Sequence, residues 1–159
     1  MDKDFEKDRV ITDVECKRGY ACIKLKLKES RKEVGEILKS LAEANVHFTI
    51  PKIHQNTLNF VLPQEELNIA IQELKEMGYE ETRCLSGCSL VTVYAPDMRN
   101  LFGVMVQILE VMLKKGAEVL QVGDSYNSVS CLIKEEKLEE IIPSLGEVFP
   151  QATLKCNLR

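Results

Sequence analysis

The chain lacks any apolar run approaching the ~20 residues that a bilayer-spanning helix needs, and it opens on the charged stretch MDKDFEKDR. The expectation is therefore no membrane anchor and no secretory leader, and a cytoplasmic protein. It also lacks a basic excess: the net charge is -4, with lysines interleaved among acids, which argues against a nucleic-acid surface. Histidine occurs only at His47 and His54, with no cysteine or carboxylate at ligand spacing, so no metal is expected. Six cysteines (Cys16, Cys22, Cys84, Cys88, Cys131, Cys156) are scattered singly; Cys84 and Cys88 form a C-x3-C without the second pair a zinc site wants. Reduced structural thiols are the expectation. Ser125 has no histidine near it in the expected fold, which argues against an activated nucleophile. No cofactor is implied.

What the chain does have is internal symmetry. Its 159 residues, 45% hydrophobic and 29% charged, suit one globular domain or two small ones. A displacement that lays His47 on Glu118 brings Val34, Ile37, Leu38 and Leu41 onto Met105, Ile108, Leu109 and Met112. The same displacement brings Leu58, Phe60, Val61 and Leu62 onto Val129, Cys131, Leu132 and Ile133. Apolar meets apolar at helical and at strand spacing in one gapless register, so the chain reads as two copies of one module.

Each copy reads as β-α-β-β-α-β. "CIKLKLK" alternates Ile23, Leu25 and Leu27 with Lys24, Lys26 and Lys28, the period of a strand with one buried face. Val34, Ile37, Leu38 and Leu41 form a helical stripe, preceded by the capping-box pattern Ser30-Arg31-Lys32-Glu33. Two strands, a helix marked by Leu67, Ala70, Ile71, Leu74 and Met77, and a last strand "YEETRCL" complete the first copy. The second repeats this with a strand over Leu90–Tyr94, a helix from about Leu101 to Lys115, the hairpin Glu118–Ile133, a helix over Glu136–Phe149 and a strand "ATLKCNL". Pro143 predicts a kink or early break near Ile142. Phe48, Phe60 and Phe102 read as core residues. The fold class is α+β, two tandem ferredoxin-like βαββαβ modules with antiparallel sheets and helices on one face. The expected boundaries are 16–88 and 89–159, with an extra strand at 9–15 adding to a sheet edge.

The extended opening "RVITDVECKRGYACIKL", the segment "LVTVYAPDMRNLFGVMVQILEVMLKKGAEVLQVGDSYNSVSCLI" and the closing "LGEVF" together resemble the paired ACT domains of the aspartate kinase regulatory region, or its separately made small subunit. The resemblance covers about Arg9 to Phe149, and implies that strand 9–15 joins the second module's sheet. It implies an allosteric module that is not an enzyme by itself, binding an amino acid (lysine, threonine or a relative such as methionine). It also implies a homodimer, and a kinase catalytic subunit as a further partner.

The family's pocket lies at a module-module interface, where a helix start receives the ligand carboxylate and a strand edge its ammonium. Carried over, the ligand-binding positions in the second module are Pro96, Asp97, Met98, Asn100, Leu101, Gly103 and Val104, with Glu118, Val119, Leu120, Gln121 and Ser125. In the first module they are Lys28, Glu29, Ser30, Phe48 and Thr49. The chain departs from the family where a Pro-Gly pair is usual and Arg31-Lys32 stands, and Ala95 replaces another glycine; Gly103 is retained. Gly103→Val is expected to block the ligand at little cost in stability. The hairpin tip Asp124–Ser128 reads first as a turn. Two other readings stand beside this one: a degenerate pair that only dimerises, and a small ferredoxin-like enzyme such as an acyl phosphatase, for which no arginine-bearing phosphate cradle is evident.

Overall fold

The structure is a computed structural model, which describes residues 10–29, 32–101 and 103–156 and, of Asn100, the backbone alone. Ser30, Arg31 and Phe102 lie outside the described residues, and with them the serine half of the capping box and one expected core aromatic. The chain divides into two units, one made of Gly19–Cys88 and the other of the segment ending at Arg18 together with Ser89–Arg159.

In the 19–88 unit, β1 (Asp13–Lys26) contributes its second half and pairs antiparallel with β3 (Thr57–Pro63), from Tyr20 opposite Pro63 to Lys26 opposite Thr57. The strand β2 (Thr49–His54) joins the outer side of β3 through a two-residue turn. Helices α1 (Lys32–Glu43) and α2 (Leu67–Glu76) bury Val34, Ile37, Leu41, Ala70 and Leu74 against Ile23, Leu25, Leu58, Phe60 and Leu62. Burial of each such side chain is worth about 1.5–3 kcal/mol, and the two alternations, period 3.6 and period 2, are what put these residues on facing surfaces.

The second unit repeats the plan with β4 (Thr82–Tyr94), α3 (Val104–Lys114), the hairpin β5 (Val119–Asp124) and β6 (Ser128–Lys134), and α4 (Leu138–Val148). The repeat extends to hydrogen bonds. Asn45 and Gly116, left-handed at φ 60° and 65°, close α1 and α3. The amides that follow reach back identically, Val46 to the Leu41 carbonyl (2.9 Å) and Ala117 to that of Met112 (2.8 Å).

The first half of β1 belongs to this second unit. Ile11, Val14 and Cys16 are buried in its core with Val91, Val93, Ile108 and Leu145. The Thr12 amide donates to the Tyr94 carbonyl (2.9 Å), and the final strand β7 (Thr153–Cys156) lies parallel to β1, Asp13 opposite Thr153 and Cys16 opposite Cys156.

Four expectations need correction. The sheet of the second unit is not antiparallel throughout, because β1 stands beside β4 and leaves β7 a parallel place outside it. Strand 9–15 and "CIKLKLK" are one strand, as are "YEETRCL" and Leu90–Tyr94; glycines at φ 76° (Gly19) and 68° (Gly87) let the extended chain turn without ending. The helix α4 continues through Pro143, which sits on its exposed face, where water can satisfy the carbonyl one turn back. Cys16 and Cys156 are joined in a disulfide rather than reduced, since the parallel register brings their Cα atoms to 4.5 Å.

Candidate functional site

The turn from β1 into α1 in the first unit is closed by the chain's own carboxylate. Glu33, in the first turn of α1, accepts the backbone amides of Lys28 (3.1 Å) and Glu29 and the hydroxyl of Tyr79. Burial first, then the hydrogen bond and charge of Glu33, push the Tyr79 phenol well above its ordinary value. The Lys28 ammonium caps the Met77 carbonyl (3.1 Å) and lies 4.5 Å from the centre of the Tyr79 ring. An amide cradle is present here, and it is filled from within.

The equivalent turn of the second unit is built differently. The N-cap of α3 is Gly103, at φ 83° and ψ -1°, which has no side chain to cap the helix start. Without a Cβ the chain takes this left-handed step at no steric cost, and an added Cβ would meet nothing within 4 Å. The first-turn amides of α3 have no intrahelical acceptors. The loop before it is held by the hairpin tip: the Ala95 amide donates to the Asn127 carbonyl (2.9 Å) and that of Met98 to the Tyr126 carbonyl (3.2 Å). Ser125 is spent inside the tip, its hydroxyl bonding Asn127 Oδ1 (2.9 Å) and Ser128 Oγ (2.8 Å).

The strand after each first helix carries a register shift at the equivalent place, between Thr49 and Lys52 in β2 and between Val119 and Gln121 in β5. A bulge leaves one residue out of the ladder and bends the strand, here Leu120 in β5. In the first unit the bulge contains Ile50 at φ 51°, a left-handed β-branched residue followed by Pro51.

Several predicted site residues offer only backbone to a ligand. Met98 and Val104 are core residues, Leu101 and Val119 pack on the same core, and Phe48 packs edge-on to Phe60 at 6.0 Å between centroids. Pro96 and Glu118 are exposed, Glu118 lying 3.9 Å from Lys134; Asp97 and Gln121 are half-buried, and Thr49 is exposed in β2 opposite Val61. Pro96 also borders a cleft of about 380 Å³ lined by Thr12, Asp13, Glu15, Tyr94, Asn127 and Lys155. There Lys155 pairs with Asp13 (2.8 Å), and Glu15 takes Lys17 (2.8 Å) and the Tyr94 hydroxyl (3.1 Å). Hydrogen bonds from Lys155 hold the Asp13 carboxyl, and from Lys17 that of Glu15, below the usual range.

Two participants escaped sequence reasoning. Tyr79, beyond the end of α2, gave no signal, because its partner lies on another element. Glu66 takes the His47 amide (2.6 Å) and imidazole (2.7 Å), which hold its carboxyl below the ordinary range although burial alone would raise it. Among the described residues no group of three or more His, Cys, Asp or Glu side chains is placed to hold a metal ion, and no helix is long and apolar enough to cross a membrane.

Comparison with known proteins adds to this geometry. Residues 84–147 match the ACT domain family. Aspartokinase 1 of Bacillus subtilis is 22% identical over 143 residues, covering 89% of this chain, which in turn spans 35% of that relative's length. Among solved structures, one of aspartokinase alpha and beta subunits matches with TM-score 0.81 at 20% identity, covering 89% of this chain and 99% of the other. The regulatory subunit of aspartate kinase from Thermus thermophilus, in its ligand-free form, matches with TM-score 0.79 at 15% identity, covering 88% and 99%. Residues 84–147 are thus similar to the ACT domain family, and the chain has the fold of the solved aspartokinase subunit structures it matches.

Proposed function

We propose that the chain is an allosteric sensor of an aspartate-family amino acid, lysine or threonine first, and that its ligand site is in the second unit. The ligand carboxylate sits at the start of α3, against the amides that follow Gly103, where the helix dipole favours an anion. Its ammonium meets backbone carbonyls at the β5 bulge, over Val119–Gln121. A module of a second copy closes the site, in a homodimer that acts on a kinase catalytic partner. Aspartokinase III of E. coli, a structure of the same fold (TM-score 0.69, 16% identity), is a complex with lysine and aspartate, which supports lysine as first candidate.

The observation that carries this reading is the contrast between the two helix starts. In the first unit Glu33 takes the amides of Lys28 and Glu29 in the turn before α1, whereas Gly103, the N-cap of α3, carries no side chain. Calorimetry and thermal shift against the twenty amino acids test it; at 100 times the dissociation constant, a ligand adds about 2.7 kcal/mol of apparent stability. Gly103→Asn, which keeps the left-handed step but adds a side chain, should abolish the shift, and Glu33→Gln should leave it. No shift with any amino acid would favour the degenerate, purely dimerising module.

A further inference from the structure

A cleft of about 610 Å³ opens on the 19–88 unit, lined by Lys24 and Lys26 of β1, Asn56 and Thr57 at the β2–β3 turn, and Glu81 and Arg83 around the start of β4. Ile23 and Leu25 are buried under the helices, so the intervening lysines project from the opposite face of the strand, with their Cβ atoms about 6.7 Å apart. Lysines and an arginine elsewhere in the chain are paired: Lys17 with Glu15, Lys155 with Asp13, Arg18 with Glu135 and Glu139. In the cleft, among the described residues, no carboxylate comes within 4.0 Å of Lys24, Lys26 or Arg83. Three cations thus converge on one concavity against the single carboxylate of Glu81, in a chain whose net charge is -4.

The surroundings are polar as well as positive. Asn56 lines the cleft, and the Thr57 hydroxyl, which donates to the His54 carbonyl (2.8 Å), retains an acceptor lone pair. Asn59, directly opposite Lys24 in the β1–β3 register, has its Oδ1 buried without a hydrogen-bond partner. That carbonyl oxygen can accept from a lysine ammonium drawn inward. No aromatic side chain lines the cleft, so nothing there can stack on a base.

We propose that this cleft is an anion-binding site for a small oxyanion carrying two or more linked phosphate groups, held by Lys24, Lys26 and Arg83. The lysines supply mobile point charges and the arginine a planar fork that can take two oxygens of one phosphate. Such a ligand removes the mutual repulsion of the three cations. It is chemically unlike the zwitterion of the sensing site, and the proposal does not depend on that site.

The test is calorimetry at fixed ionic strength on the full chain, with inorganic pyrophosphate, ATP and sulfate as probes. Pyrophosphate should bind saturably at one site per chain, and ATP comparably if the phosphate tail alone is recognised. Lys26→Glu and Arg83→Glu should each weaken binding at least about tenfold, since a charge-assisted contact becomes a repulsion. The milder Lys24→Gln/Lys26→Gln variant should weaken it too, so the result does not rest on one charge reversal being tolerated. Lys114→Gln, an exposed lysine of α3, serves as the net-charge control and should change nothing. Absence of saturable binding overturns the proposal, as does sulfate binding as tightly as pyrophosphate. An equal loss in the Lys114→Gln control, or binding left intact by Lys26→Glu and Arg83→Glu, overturns it as well.

Discussion

The hydroxyl of Tyr79 donates to the Glu33 carboxylate across 46 positions of sequence, and the same carboxylate receives the amides of Lys28 and Glu29. One acid therefore ties the end of β1, the start of α1 and the chain leaving α2.

Glu33→Gln should cost about 1 kcal/mol in denaturant unfolding, because a charge-assisted cap becomes a neutral one. It should also lower the alkaline titration of Tyr79, followed by phenolate absorbance, since burial would then act without the neighbouring charge. A phenol raised on folding stabilises the native state below its unfolded value near 10 and loses that contribution as pH rises through the folded value. The wild-type chain should accordingly lose stability above about pH 10, and Glu33→Gln should lose less over that interval.

Reduction of the Cys16–Cys156 disulfide should lower the melting temperature. The bond spans 140 positions, and the chain-entropy relation gives about 4–5 kcal/mol for loops of this size. Thermal scans with and without a phosphine reductant measure it, and Cys156→Ser should show no further drop on reduction. Cys22, Cys84, Cys88 and Cys131 are outside the disulfide, so serine at any of them should leave the reductant effect in place.

Removal of residues up to Glu15 should loosen the second unit selectively. Ile11 and Val14 leave its core, each worth about 1.5–3 kcal/mol, and β7 loses most of its partner strand. Hydrogen exchange should accelerate in β7 and around Val91–Tyr94. The ladder from Tyr20 to Lys26 with β3 should keep its protection.

Gly103 should tolerate substitution in the order Asn, Ala, Val. The space around it is open, so the cost is the left-handed backbone alone, roughly 1–2 kcal/mol for an ordinary residue and more for a β-branched one. The expectation that Gly103→Val spares stability is therefore revised, and equilibrium unfolding of the three variants gives the ranking.

The repeat was legible because it rests on side-chain periodicity, which the register of Val34 with Met105 and Phe60 with Cys131 displays directly. Where strands end was less legible: Gly19 and Gly87 look like terminators, and only the pairing of β1 with strands in both units shows that the chain runs on. The disulfide was hidden for a related reason, since Cys16 and Cys156 meet only through a parallel register that no local pattern encodes. Near the first helix, Glu33 as an acceptor of backbone amides was legible from the capping-box pattern, whereas its bond to Tyr79, a partner on another element, was not.

The bond between Cys16 and Cys156 makes the intervening polypeptide a covalent ring. A protease that nicks an exposed hairpin turn within it, such as Gln55-Asn56 or Tyr126-Asn127, opens the ring without releasing a fragment. The nicked molecule keeps its full mass on a non-reducing gel and parts in two only once the sulfurs are reduced. The same closure allows new termini at either turn, so a circularly permuted chain can retain both units with its original ends tethered to each other.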